Sequence, residues 1–144
     1  MEFRFATIGE ILPLREAVII AGTGREPYFP GDDDPATRHV GVFENGRCIG
    51  CATFLRKDHE GRPARQLRGM ATEPAWQRQG IGRQLLAFAE AQFAAEGDIA
   101  LLWCNARLTA VPFYEKAGWS VDSDVFDIPA VGPHRRMVQP LTMP

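Results

Sequence analysis

The chain has 144 residues, of which 45% are apolar, and its 16 basic and 18 acidic residues leave a net charge of −2 and a pI near 5.9. That length suits one domain, since a domain takes about 100–200 residues, and the apolar share suffices for a packed core. The charge balance excludes a nucleic-acid binder held mainly by phosphate contacts, and no apolar run approaches the ~20 residues a membrane span needs.

Met1-Glu2-Phe3-Arg4 does not begin a signal peptide, so a cytoplasmic chain with no membrane partner is expected. The three cysteines cannot all pair within the chain, which fits a reducing compartment. Residues 3–7 alternate loosely, as a first strand would. From Gly9 to Ala21 the apolar residues Ile11, Leu12, Leu14, Ala17, Val18 and Ala21 form a helical stripe, with Pro13 placed in its first turn. Ala21 to Pro35 is rich in Gly, Pro and Asp. A structureless loop of that length is often a binding element or lid.

Val40 to Glu44 and Arg47 to Leu55 form a hairpin across Asn45-Gly46, a pair suited to a type I′ turn. Cys48 and Cys51 have C-x-x-C spacing, but within a strand positions three apart point to opposite faces. They are therefore expected to be small strand residues, with no metal. Lys57 to Pro63, including His59, is a solvated turn. Gln66 to Thr72 is a strand, and a turn at Pro74 leads to a second helix. Ile81, Leu85, Phe88, Ala89 and Phe93 form its buried face, and Gly97 ends it. Ile99 to Cys104 is apolar throughout, as a strand covered on both faces would be. Thr109 can cap a third helix that stops at Gly118, and two strands follow, at Trp119–Phe126 and Pro133–Leu141. Arg135 and Arg136 are expected to be exposed on the last. Hairpins alternating with helical crossovers imply a mixed α/β sheet flanked by helices.

The stretch Gln77-Arg78-Gln79-Gly80-Ile81-Gly82-Arg83 lies between a strand and a helix N-terminus. The first N–H groups of a helix lack intrahelical partners and carry partial positive charge, and glycines let an anion approach the backbone. No Lys-Ser or Lys-Thr follows, so this is not a P-loop. Leu85 stands where a dinucleotide fingerprint needs its third glycine. What remains, Gln77-x-x-Gly80-x-Gly82, resembles the acyl-CoA loop of the GNAT superfamily of N-acetyltransferases. Ala110-Val-Pro-Phe-Tyr-Glu-Lys-Ala-Gly-Trp is similar to the late helix of that superfamily. Ile-Leu-Pro-Leu-Arg, Phe-Pro-Gly-Asp and Pro-His-Arg-Arg-Met resemble a poorly characterised bacterial branch.

The resemblance implies the GNAT fold and acetyl-CoA as co-substrate. It implies that Gln77, Arg78, Gln79, Gly80, Ile81, Gly82 and Arg83 hold the pyrophosphate. Met70, Ala71 and Thr72 would pair with the pantetheine, while Phe113 and Tyr114 line the far side of the thioester slot. Asn105 falls where the family places a polar residue near the cofactor, and a dimer through the final strands is common in the family. The acceptor would be an amine of a small molecule or peptide. Amine attack on a thioester needs a proton acceptor, an oxyanion donor and an acid for the thiolate. The Met70 N–H can serve the oxyanion and Tyr114 the thiolate. Glu73, His39, His134 or a water relay can serve as the base, and Asp32 in the acidic loop can attract the acceptor. Three rivals stand beside this reading: transfer of another acyl chain, a CoA-binding sensor without turnover, and a phosphate-binding domain of another fold, which would not prefer CoA over free ADP.

Overall fold

The computed structural model describes residues 1–141. In chain order it contains β1 (Glu2–Ala6), α1 (Ile8–Arg15) with a π-helical turn at Glu16–Ile20, β2 (Arg38–Glu44), β3 (Arg47–Arg56) and β4 (Ala64–Thr72). After a 3₁₀ turn at Pro74–Trp76 come α2 (Ile81–Glu96), β5 (Leu101–Arg107), α3 (Val111–Lys116), β6 (Ser120–Val121), β7 (Phe126–Ile128) and β8 (Gly132–Pro140). The strands form a sheet in the order β1-β2-β3-β4-β5-β8-β6, with β7 also on β8. Every pairing is antiparallel except β4 with β5.

The first helix begins earlier than its apolar stripe predicts. Thr7 Oγ1 accepts from the Glu10 N–H at 3.2 Å and Glu10 Oε1 accepts from the Thr7 N–H at 2.9 Å. This reciprocal capping satisfies two end groups at once. Pro13 therefore sits in the second turn, not the first. The Asn45-Gly46 turn has φ of 51° and 77°, as a type I′ hairpin requires.

Ile81, Leu85, Ala89 and Phe93 of α2 bury their side chains against Val40, Val42, Ile49 and Phe54. Phe88 is half-buried and packs on Phe3 and Phe5. Gly97 ends the helix at φ 74°, donating its N–H to Phe93 O at 3.1 Å. On the other face α1 covers Cys51 and Ala71. A bulge at Ile49 resets the alternation of β3, so Cys48 and Cys51 both pack on this face and not on opposite ones. Both are free thiols, and burial pushes Cys51 up to about 12.

The loop after α1 is fastened from within. Arg15 is fully buried, and its guanidinium donates to Asp32 Oδ2 at 2.7 Å and Oδ1 at 3.1 Å. Asp32 Oδ2 also accepts from the Phe29 N–H at 2.6 Å. Arg15 further donates to Thr53 Oγ1 at 2.7 Å, Thr53 faces His39 Nδ1 at 2.8 Å, and His39 Nε2 reaches Asp32 O at 3.2 Å. A carbonyl only accepts, so Nε2 carries the proton and Nδ1 accepts from the Thr53 hydroxyl. His59 is buried rather than solvated, pairing with Asp122 at 2.9 Å and lying against Trp103. Arg135 and Arg136 are both half-buried, not exposed, and the Arg136 guanidinium lies over the Trp103 ring.

Removing one partner of a buried ion pair leaves an uncompensated charge. Asp32→Ala should lower unfolding free energy in urea by about 3–5 kcal/mol, and Arg15→Met with Asp32→Leu should recover much of the loss. Burial, the largest cause, lowers the pKa of His39 below its ordinary 6.5 although the Asp32 carbonyl opposes the shift. The folded state thus binds this proton less readily than the unfolded chain. His39 supports the fold fully above ~6.5, and that support is lost as pH falls through the folded value. Urea midpoints should drop more steeply below pH ~6.5 in the wild type than in His39→Gln.

Candidate active site

The parallel pairing of β4 with β5 covers only Ala64–Leu101, Arg65–Leu102 and Gln66–Trp103. Beyond it β4 stays on β3 and bulges. From Cys51 to Thr53 the register advances two residues on β3 but three on β4, between Ala71 and Arg68. Gly69 lies in this bulge at φ 61°, and a Cβ there would meet Phe29 Cε2 at 2.9 Å and Arg15 Nε at 3.0 Å. The bulge bends β4 away from β5 and opens two cavities of about 930 and 490 Å³. They share Val18, Met70, Ala110 and Tyr114.

The larger cleft contains the glycine loop. Gln77, Arg78, Gln79 and Gly80 are exposed. The Gln77 amide donates to Thr72 O at 3.0 Å, tying the loop to the end of β4, and the Gln79 amide donates to Ala75 O at 3.3 Å. Arg78 at φ 64° and Gly80 at φ 80° turn the chain into α2, and Gln84 N–H to Gly80 O at 3.0 Å closes its first turn. The N–H groups of Ile81, Gly82 and Arg83 precede that bond, at the positive end of the dipole. A Cβ on Gly82 would come within 3.0 Å of Met70 Cε and 3.2 Å of Phe113 Cζ, so this residue keeps the cleft open beside the loop. Ala71, Thr72, Ile81 and Phe113 line it, with the cations Arg78, Arg83 and Lys116 and no carboxylate. The residues fit a polyanionic nucleotide. Lys116 and Trp76 also line the cleft; three-residue helical spacing from Phe113 was the available signal for Lys116.

Tyr114 stands where the cavities meet. Thr109 does not cap its helix, because residues 108–110 form a 3₁₀ turn and Ala110 is the N-cap without a side-chain bond. The other end is tightly closed. Trp119 N–H reaches Tyr114 O and Gly118 N–H reaches Glu115 O, both at 3.0 Å, with Gly118 at φ 95°. This is a Schellman motif, and it packs Trp119 on the Tyr114 ring at 5.2 Å between centroids. The Tyr114 hydroxyl lies 3.9 Å from Met70 Sδ. Burial, then the nearby Cys104, raises its pKa well above 10. Cys104, in the same surroundings, is itself pushed up to about 12 by desolvation.

The smaller cavity lies between the loop after α1 and β5, β7 and β8. Phe29, Gln66, Arg68, Asn105, Arg107 and His134 line it, with Arg25 and aliphatic side chains from both sides. Asn105 is thus outside the glycine-loop cleft, because β5 continues to Arg107 and carries it along; its buried Oδ1 has no partner among the described residues. His134 is 4% exposed, and its Nδ1 lies 2.7 Å from Gly132 O. That nitrogen must donate, so Nε2 is the accepting one in the neutral ring. His39, Asp32 and Glu73 line neither cavity. Both ring nitrogens of His39 are engaged, Asp32 neutralises Arg15, and Glu73 pairs with Arg47.

A parallel pair that parts over a bulge, beside a glycine loop opening a helix, is the arrangement of an acyl-CoA N-acyltransferase. The profile of the acetyltransferase (GNAT) family matches residues 13–119. The uncharacterized N-acetyltransferase YitI of Bacillus subtilis is 37% identical over 116 residues, 78% of this chain and 77% of that protein. An acyl-CoA N-acyltransferase from Pseudomonas aeruginosa superposes with a TM-score of 0.80 at 17% identity, over 96% of this chain and 99% of its own. An aminoglycoside 6'-N-acetyltransferase complexed with coenzyme A gives 0.76 at 14% identity, over 99% and 98%. The chain belongs to the GNAT acetyltransferase family and is an acyl-CoA-dependent N-acyltransferase. Among the described residues no helix is long and apolar enough to cross a membrane.

A branched side chain at Gly82 would fill the space next to Met70 and Phe113. At 100 times its dissociation constant, CoA should stabilise the wild type by about 2.7 kcal/mol, seen as a rise in Tm. Gly82→Val should lose most of that rise.

Proposed function

We propose that residues 1–144 act as one domain that transfers the acetyl group of acetyl-CoA to a primary amine of a small molecule or peptide, by direct attack on the thioester. The observation that carries this reading is the junction of the two cavities at Met70 and Tyr114. One cavity is built for a polyanion and the other holds an imidazole with a free accepting nitrogen. The neighbour complexed with coenzyme A supports the choice of cofactor.

In this reading the amides of residues 78–83, with Arg78, Arg83 and Lys116, bind the diphosphate. Ala71 and Thr72 present strand edge to the pantetheine where β5 has left it. The Met70 N–H, within the bulge, meets the developing oxyanion. His134 is the base: as the neutral amine attacks and the C–N bond forms, Nε2 takes the amine proton. The C–S bond then breaks and the sulfur takes the proton of Tyr114, which is regained from His134 through water. The raised pKa of Tyr114 keeps its hydroxyl protonated, so the proton is in place when the sulfur departs. Cys104 is buried and stays a thiol, which favours direct transfer over an acyl-cysteine.

Tyr114→Phe should lower kcat by about 100-fold or more while CoA affinity changes little. His134→Ala should lose turnover similarly and regain part of it with added imidazole, measured as thiol release with an amine panel. Wild-type turnover in both variants would remove the assigned roles. Tight CoA binding with no transfer to any amine would favour a sensor.

A further inference from the structure

The smaller cavity carries a charge pattern that names its occupant more closely. Arg25, Arg68 and Arg107 line it, and no Asp or Glu does. None of the three has an ion-pair partner among the described residues. Arg25 makes only a 3.3 Å bond to Ile19 O, and Arg68 lies 5.8 Å from the centroid of the Phe29 ring. The carboxylate nearest in concept, Asp32, is spent on Arg15 with both oxygens. The remaining polar side chains are Gln66, Asn105 and His134, none of them a carboxylate. Arg25 is half-buried and Arg68 and Arg107 are exposed at the rim, so three guanidinium groups without a carboxylate border one open cavity, where a bound anion can take paired N–H donors from them.

We infer that the amine acceptor bears a fixed negative charge, a carboxylate or a phosphate, held by Arg25, Arg68 and Arg107 while its amino group points toward Met70 and Tyr114. This rests on the reading of the smaller cavity as the acceptor site. The same field disfavours polyamines and other polycations, whose further ammonium groups would meet arginines and no carboxylate. Phe29, Ile128 and Val131 accept the apolar part of the molecule. An anion also serves the chemistry, because it lets the amine bind without a protein carboxylate that would hold it as ammonium.

The test uses pairs of amines that differ only in the anion: amino acids against their amides, and phosphoethanolamine against ethanolamine, with spermidine as the polycation. Thiol release and Tm shift of the acetyl-CoA-loaded protein are read for each. The anionic member of at least one pair should give the higher kcat/KM and the larger Tm shift, by about tenfold or more in kcat/KM. Arg68→Gln and Arg107→Gln should raise KM for that acceptor by a similar factor, with acetyl-CoA affinity, read as the Tm shift without amine, unchanged. Which pair responds separates carboxylate from phosphate. Equal turnover of neutral members, or preference for spermidine, would overturn the inference while leaving the transferase reading intact. If no amine is consumed, the transferase reading fails, and the Tm shifts alone decide the anion preference, equal shifts for both members overturning it.

Discussion

The function of this chain depends on a pair of strands that stop pairing. Parallel neighbours in the middle of a sheet normally satisfy each other's backbone groups along their length. Here β4 and β5 do so for three residues each and then separate. Buried N–H and C=O groups without partners are costly, so a gap persists only where something else imposes it and where water or a ligand can fill it. What imposes it is the extra residue of β4 around Gly69, pressed from below by Phe29 and Arg15. Arg15 is held there by Asp32 and Thr53, and Asp32 in turn holds the loop that carries Phe29. A helix, a strand and a loop distant in sequence thus converge on one glycine.

That network also divides the charges. The buried carboxylate of Asp32 is matched by Arg15, so it does not offset the arginines of the cavity that its loop borders. The arginines around that cavity are left unopposed, as are the cations beside the glycine loop. Both substrates of the proposed reaction therefore meet positive surroundings, and the reactive neck between them, at Met70 and Tyr114, is comparatively apolar. Desolvation there raises the Tyr114 phenol and the Cys104 thiol together, so both keep their protons.

Local chemistry made much of this legible in the sequence. Asn45-Gly46, the α2 stripe, Gly97 and the glycine loop each follow from neighbouring residues alone, and each stands where its pattern places it. The Thr7–Glu10 capping box was equally visible, three residues apart, but the apolar stripe drew the helix start to Gly9. What the sequence withheld was whatever depends on bulges and distant contacts. Cys48 and Cys51 share a face only because Ile49 interrupts the alternation. Arg15 and Asp32, seventeen positions apart, carry no periodic sign of being a buried pair. Without that pair His39 and Asp32 looked available for chemistry, and His134 looked no better placed than they. The family resemblance places Asn105 near the cofactor; β5 runs on to Arg107 and carries the residue to the other cavity.

The junction at Met70 and Tyr114 has one more implication, for traffic. Each cavity is open to solvent, one beside the start of α2 and the other beside the loop after α1, and the two share Val18, Met70, Ala110 and Tyr114. In the proposed reaction neither reactant passes the other on the way in, and neither spent half blocks the other's departure. Loading then has no compulsory order, and free CoA competes with its acylated form alone, leaving the amine's doorway untouched.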